Sequence, residues 1–248
     1  MPAAATEPEM AGVFEIVLGM GAAIALLAYG FAIGRYKAWP FRLVSARFQR
    51  TPPENRHHRP RAEQFGFFQP EVDTVMLGDS MIEGGLWGDI FPGHRIANRG
   101  VGGDTTRRVL DRLHQIEPLK PKRVFLLIGL NDLARKVPVA QILRNYGEIV
   151  SRLQAMRAEV IILSVVRPRD NPPLAAQVIQ LNAELRRIAS EHDCTFVDID
   201  AALSDADGIR RQYTYDGTHI GARGFVVFRD VIAPLIEGEP NPALAAAG

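Results

Sequence analysis

A single cysteine, Cys194, stands among 248 residues. One thiol cannot build a disulfide framework within the chain, and it excludes a cysteine-rich zinc site. Net charge is almost absent as well. Twenty-nine Lys and Arg against 28 Asp and Glu leave +1, which gives no global electrostatic reason for a nucleic-acid partner. The run "GVGG" is not followed by the Lys-Ser/Thr of a P-loop, so a nucleotide cradle is not expected. No internal repeat is visible. No cofactor or metal is expected.

What is present is globular in composition: 47% apolar and 23% charged, enough for one domain with a substantial core plus appendages. The charge is unevenly spread. Residues 1–15 carry only acids, Glu7, Glu9 and Glu15. Residues 16–34, "IVLGMGAAIALLAYGFAIG", carry none. As a helix those 19 residues would span about 28 Å, close to a bilayer's hydrocarbon core. Arg35, Lys37, Arg42, Arg47 and Arg50 follow. The reversed flanks weigh against a cleaved signal peptide, and a buried core helix is the bland alternative. The expectation is a single-pass transmembrane anchor. The positive-inside rule puts the main domain in the cytoplasm, with a periplasmic or extracellular face as the alternative. Residues 35–71 are basic and proline-bearing, with Trp39, Phe41 and Phe48 among the cations. They read as a connector, either hugging the membrane surface or simply solvated. Residues 237–248 read as a flexible tail.

Between 72 and 236 short apolar runs alternate with longer amphipathic patterns. "DTVMLG" (73–78), "RIANRG" (95–100), "RVFLLIG" (123–129), "EVIILSVV" (159–166) and "TFVDID" (195–200) read as strands. Residues 105–116, 139–156, 174–192 and 222–236 read as helices. That alternation predicts an α/β domain with a parallel sheet covered on both faces, and the unbroken apolar runs agree. Ligands then sit outside the carboxyl ends of the strands.

Four stretches carry chemistry there: Gly78-Asp79-Ser80, "NRGVGGDTT" (98–106), Gly129-Leu130-Asn131-Asp132 and "YDGTHIG" (215–221). A serine hydroxyl needs a base, and histidine suits that role near neutral pH. The histidine needs a carboxylate to fix its tautomer. Asp216 and His219, three apart on a tight turn, can supply both. A tetrahedral oxyanion needs donors already aimed at it. The backbone N–H groups of Ser80 and Gly103 and the amide of Asn131 are the candidates.

In these four blocks the sequence resembles the SGNH hydrolases, or GDSL esterases/lipases, over residues 72–236. "GVGGDTTRRVLDRL" and "RPRDNPP" (167–173) look like the platelet-activating-factor acetylhydrolase catalytic-subunit branch. The resemblance implies a three-layer α/β/α sandwich with a flavodoxin-like sheet and a serine esterase without metal. Ser80, Asp216 and His219 would be catalytic, and Ser80, Gly103 and Asn131 would form the oxyanion hole. The expected substrate is a small ester, a lipid or an O-acylated sugar with an acetyl or short acyl group. A homodimer is possible by the same likeness. The chain departs from the pattern in Met81 and the Gly84-Gly85 pair. The competing reading is a tethered binding or scaffold module that kept the fold and lost turnover.

Other polar residues invite plainer readings. Asp79 reads as a helix-start acid and Asp104 as the N-cap of the 105–116 helix. Asp132 either orients the asparagine loop or caps a short helix. Arg107 and Arg108 read as exposed helix residues, and Arg167 and Arg169 as pocket-rim candidates. His57 and His58 read as solvated, and His94, His114 and His192 as structural.

Overall fold

Five strands, three of them (β1, β3 and β4) dominated by aliphatic residues, form one parallel sheet in the order β2-β1-β3-β4-β5. The strands are β1 (Thr74–Gly78), β2 (Ile96–Gly100), β3 (Arg123–Leu127), β4 (Glu159–Leu163) and β5 (Thr195–Val197). Every residue of β1 and β3 is buried, so both faces are covered, as a parallel sheet requires. The computed structural model describes residues 19–30 and 58–238. The chain divides into two units, Met1–Glu54 and Asn55–Gly248. The sheet lies in the second.

The helices of that unit are α1 (His58–Phe67), α2 (Ser80–Glu83), α3 (Trp87–Ile90), α4 (Thr106–Asp111), α5 (Leu130–Ala134), α6 (Val139–Ala155), α7 (Pro172–Glu191), α8 (Ile199–Leu203) and α9 (Ala222–Glu237). Helical spacing sets their buried faces. α6 buries Ile142, Tyr146, Ile149 and Leu153; α9 buries Phe228, Ile232 and Ile236. At the far end of the sheet the guanidinium of Arg123 donates to Leu235 O and Ile236 O at 2.7 and 3.2 Å. It thereby partners carbonyls at the end of α9, where the helix leaves them without N–H donors.

The order 2-1-3-4-5 reverses direction around β1, so the crevice for a ligand opens at the carboxyl ends of β1 and its neighbours. Ser80 follows β1, the glycine loop follows β2 and Asn131 follows β3.

The structure differs from the sequence expectations at several places. No helix among the described residues is long and apolar enough to cross a membrane. This overturns the transmembrane helix at 16–34 and the single-pass membrane localisation built on it. Residues 19–30 are helical, but 12 residues rise only about 18 Å. The remainder of 16–34 lies outside the described residues, as do 1–15, 35–57 and 239–248. Within the stretch read as connector, 58–67 is helix α1, packed into the second unit through the buried Phe65.

The 105–116 helix stops after Asp111, and a 3-10 turn follows. At that point Arg112 sends a buried guanidinium back to Asp104 Oδ2 at 2.7 Å, Gly78 O at 3.1 Å and Arg99 O at 2.9 Å. Asp104 is therefore not the N-cap; Thr105 is. β4 ends at Leu163 because Asn182 of α7 takes over both backbone groups of Val165, at 2.8 Å each. A short hairpin, β6 (Ser204–Asp205) with β7 (Gly208–Ile209), was not legible.

β2 meets the turn after β1 without a gap. A Cβ at Gly100 would lie 2.2 Å from Glu83 N and 2.7 Å from Ile82 C. Both are backbone atoms that cannot rotate aside. Gly100→Ala is therefore expected to lower stability by about 1–3 kcal/mol, read as a shift of the urea-unfolding midpoint. An unchanged midpoint would show that the two segments are not held this closely.

Candidate active site

β1 ends at Gly78, and the chain turns at once into α2 with Asp79 as N-cap. Asp79 Oδ1 accepts the Met81 N–H at 3.0 Å. Ser80 opens the helix at the edge of the sheet, half-buried. The Ser80 hydroxyl lies 3.0 Å from His219 Nε2. His219 Nδ1 lies 2.6 Å from Asp216 Oδ2. With the Nδ1 proton directed to the carboxylate, Nε2 presents its lone pair to the hydroxyl.

The 214–220 loop holds that geometry through its own polar groups. Asp216 Oδ1 accepts the backbone N–H groups of Thr218 and His219 at 2.9 and 2.8 Å. Thr214 Oγ1 donates to His219 O at 2.7 Å and accepts the Gly217 N–H at 3.0 Å. Arg169 N donates to Gly217 O at 2.7 Å, which moors the loop to the segment after β4. Burial works to raise the Asp216 carboxyl. Hydrogen bonds from His219 N, His219 Nδ1 and Thr218 N outweigh it and hold the group at about 2. The carboxylate is thus ionised throughout the ordinary pH range. Tyr215 stacks on the imidazole with ring centres 5.7 Å apart, and it is 74% exposed.

The other two blocks come to the same place. Asn131 Nδ2 lies 3.3 Å from Asp79 Oδ2, beside the serine. Tyr146 fixes the start of the asparagine loop by donating its hydroxyl to Ile128 O at 2.6 Å. In the glycine loop, Asp104 N donates to Val101 O at 3.1 Å and closes a turn. Gly103 takes φ +81°, a left-handed conformation that favours glycine at this position of a turn. Arg135, just past α5, donates to Gly103 O at 3.0 Å.

Asp132 settles its own open choice. It is 1% exposed, and its carboxylate accepts from Thr106 N at 2.9 Å and Thr106 Oγ1 at 2.7 Å. Asn145 donates to the same hydroxyl at 2.8 Å. One buried side chain therefore staples the asparagine loop to the first residue of α4, three residues past Gly103. Sequence spacing could not show this, because an Asp beside Asn at a turn is commonplace.

Arg167 pairs with Asp200 at 2.7 Å, and Arg169 pairs with Asp205 at 2.9 Å and bonds Ile209 O at 3.1 Å. Both hold α8 and the hairpin, and both line a cavity with Asp170 and Pro172, as the rim expectation had it; Arg169 lines a second one with Tyr215 and Asp216. Arg107 pairs with Asp111 on the surface. His114 Nδ1 lies 3.1 Å from Asp111 O, and His94 packs edge-on against Phe91. Among the described residues no cluster of His, Cys, Asp and Glu could hold a metal ion.

Asp79 is the unusual group. It is 1% exposed. Burial pushes its carboxyl up to about 7 against the bond from Met81 N; the Asp104 and Asp132 carboxylates push the same way, and His219 opposes them. A carboxyl raised in the folded state binds its proton more tightly there than in the unfolded chain. Its contribution to stability therefore falls as pH rises from about 4 to about 7 and is level above. In Asp79→Asn that slope is removed, so the variant should gain stability relative to wild type as pH rises through this window. Urea unfolding of both proteins at a series of pH values measures it; a constant difference would mean that Asp79 does not titrate there.

Three comparisons place this geometry among known proteins. The model of the GDSL-like lipase/acylhydrolase family matches residues 76–226, more than half of the chain. Rat platelet-activating factor acetylhydrolase IB subunit alpha1 is 28% identical over 179 residues, covering 68% of this chain and 75% of that one. A GDSL-like lipase from Bacteroides thetaiotaomicron superposes with a TM-score of 0.64 at 24% identity, covering 73% of this chain and 97% of that one. An acetylxylan esterase from Geobacillus stearothermophilus gives 0.56 at 19% identity, with 68% and 95% covered. These two structures share the fold. The family match runs from within β1 into α9 and contains all four blocks, and on it the chain belongs to the GDSL-like lipase/acylhydrolase family of serine ester hydrolases.

Proposed function

We propose that Ser80 is the nucleophile, His219 its base and Asp216 the orienting carboxylate of an esterase that removes an acetyl or other short acyl group. The observation that carries this reading is the unbroken chain of Ser80 Oγ, His219 Nε2, His219 Nδ1 and Asp216 Oδ2, at 3.0 and 2.6 Å. Ser80 Oγ attacks the acyl carbon while His219 Nε2 takes its proton. The imidazolium so formed is stabilised by the ionised Asp216. The carbonyl oxygen becomes an oxyanion, held by the N–H groups of Ser80 and Gly103 and the amide of Asn131. Collapse of the tetrahedral intermediate expels the alcohol, which takes the proton from His219. Water then attacks the acyl-serine, giving its proton to His219, which returns it to Ser80 Oγ as the acid leaves.

Asp79 Oδ2 beside Asn131 Nδ2 supports an orienting role for that carboxylate toward the oxyanion amide. Tyr215 offers an exposed face beside the imidazole, where the leaving alcohol departs. The acetyl group is favoured because the mammalian relative is named an acetylhydrolase and a structural neighbour an acetylxylan esterase. A lipid, an O-acylated sugar or a small ester can provide the alcohol.

Ser80→Ala is expected to abolish p-nitrophenyl acetate hydrolysis by the purified chain, and His219→Asn to cost a comparable factor, since the two act as a unit. Asn131→Ala should lower kcat by about 10²–10³-fold with the fold intact. Wild-type turnover in the first variant, with circular dichroism unchanged, would rule out Ser80 as nucleophile.

A further inference from the structure

The family match begins at residue 76, yet a helix upstream of it reaches the glycine loop. Arg61 of α1 donates through Nε to Gly100 O at 2.7 Å, and the same nitrogen lies 3.4 Å from Glu83 Oε1. The second carboxylate oxygen, Glu83 Oε2, accepts the Gly102 N–H. Glu83 is the last residue of α2, whose first is Ser80. One carboxylate thus joins the turn that carries the serine, the glycine loop and α1.

α1 is itself firmly seated. Phe65 is buried, with the guanidinium carbons of Arg99, Arg61 and Arg112 at 4.5, 5.5 and 5.9 Å from its ring centre. Gln115 Nε2 donates to Ala62 O at 3.0 Å. Arg61 is therefore presented to Glu83 from an anchored helix.

The consequence falls on the turn from Val101 to Asp104. Its middle residues, Gly102 and Gly103, contribute successive N–H groups. Glu83 engages the first. Among the described residues the second, that of Gly103, has no acceptor, and it is the N–H assigned above to the oxyanion. A donor misaimed by a fraction of an ångström loses much of its effect on a developing charge. Glycines at two successive positions leave the peptide free to tilt unless something outside the turn holds it.

We propose that Glu83 and Arg61 are positioning residues for the oxyanion hole: Arg61 fixes the Glu83 carboxylate, which fixes the Gly102 peptide and so aims the Gly103 N–H. The assignment rests on the reading of Gly103 as an oxyanion donor. The side chains of Arg61 and Glu83 are 30% and 32% exposed. An ion pair so open to water adds little to stability, so its loss should be felt in catalysis rather than in folding.

The test uses the full chain, with kcat and KM for p-nitrophenyl acetate and the inhibition constant of a trifluoromethyl ketone, whose hemiketal oxygen occupies the oxyanion site. Arg61→Ala is expected to lower kcat about tenfold with KM nearly unchanged, and to weaken the inhibitor by the factor lost from kcat/KM. Arg61→Lys should recover part of the loss. Glu83→Gln keeps the volume and an acceptor for Gly102 but not the ion pair. It should show a similar loss, and adding Arg61→Ala to it should cost little more. Melting temperatures should stay close to wild type. Wild-type kcat and inhibitor affinity in both single variants would overturn the proposal, as would a fall in kcat with inhibitor affinity unchanged. Should Arg61→Ala not fold, Glu83→Gln carries the test. Ser80→Ala is assayed alongside. If it is inactive while the Arg61 and Glu83 variants are unaffected, only the positioning role is lost. If it is active, the reading of the site itself falls.

Discussion

A hydroxyl and an imidazole 139 residues apart in sequence stand 3.0 Å from each other, and the fold around them exists in a form that makes this contact possible. Ser80 is fixed because β1 is buried on both faces and ends without slack in α2. His219 is fixed because Asp216 caps its own turn with one oxygen and holds the imidazole with the other. The two halves are held together in part by the mooring of the 214–220 loop to the segment after β4 through Gly217 O. Loosening any of the three would leave both side chains present and the contact gone.

Carboxylates crowd the region behind the serine, and their different partners give them different roles. Asp104 is paired with the buried Arg112, which also ties down the carbonyl of Gly78 at the end of β1. Asp132 spends both oxygens on Thr106 and thereby joins the asparagine loop to α4. Asp79 has one backbone donor and the Asn131 amide near it and, among the described residues, no cation in contact, and burial raises it to about 7. A buried carboxyl without a counter-charge keeps its proton longest. Its neighbour is the residue proposed to bind the oxyanion, so its charge state bears on the site as well as on stability.

The strands and the four polar blocks were legible because each has a local signature. Unbroken apolar runs mark strands buried on both faces, and Gly-Asp-Ser or Asp-Gly-Thr-His mark turns at their ends. What escaped is set by contacts distant in sequence. Helix α1 shows no sustained apolar period; the cluster of Arg61, Arg99 and Arg112 around Phe65 and the bonds of Gln115 and Arg61 across to the sheet side explain its place. Asp104 carries a capping residue's identity, but the buried Arg112 claims it and leaves the cap to Thr105. Arg167 and Arg169 stand at a strand end and line cavities there, but their ion pairs with Asp200 and Asp205 could not be read from the sequence. The span expected at 16–34 rested on an uncharged run of bilayer length and its flanking charges, and no helix among the described residues is long and apolar enough to cross a membrane.

Reaction of the folded chain with a fluorophosphonate, followed by mapping of the modified peptide, examines the contact between Ser80 and His219 most directly. Only a serine whose proton is taken by a base reacts readily. One adduct, on the peptide that carries Ser80 and absent after heat unfolding, is the predicted result. An unmodified Ser80 in the folded protein would contradict it and leave a scaffold that keeps the shape of an esterase without its chemistry.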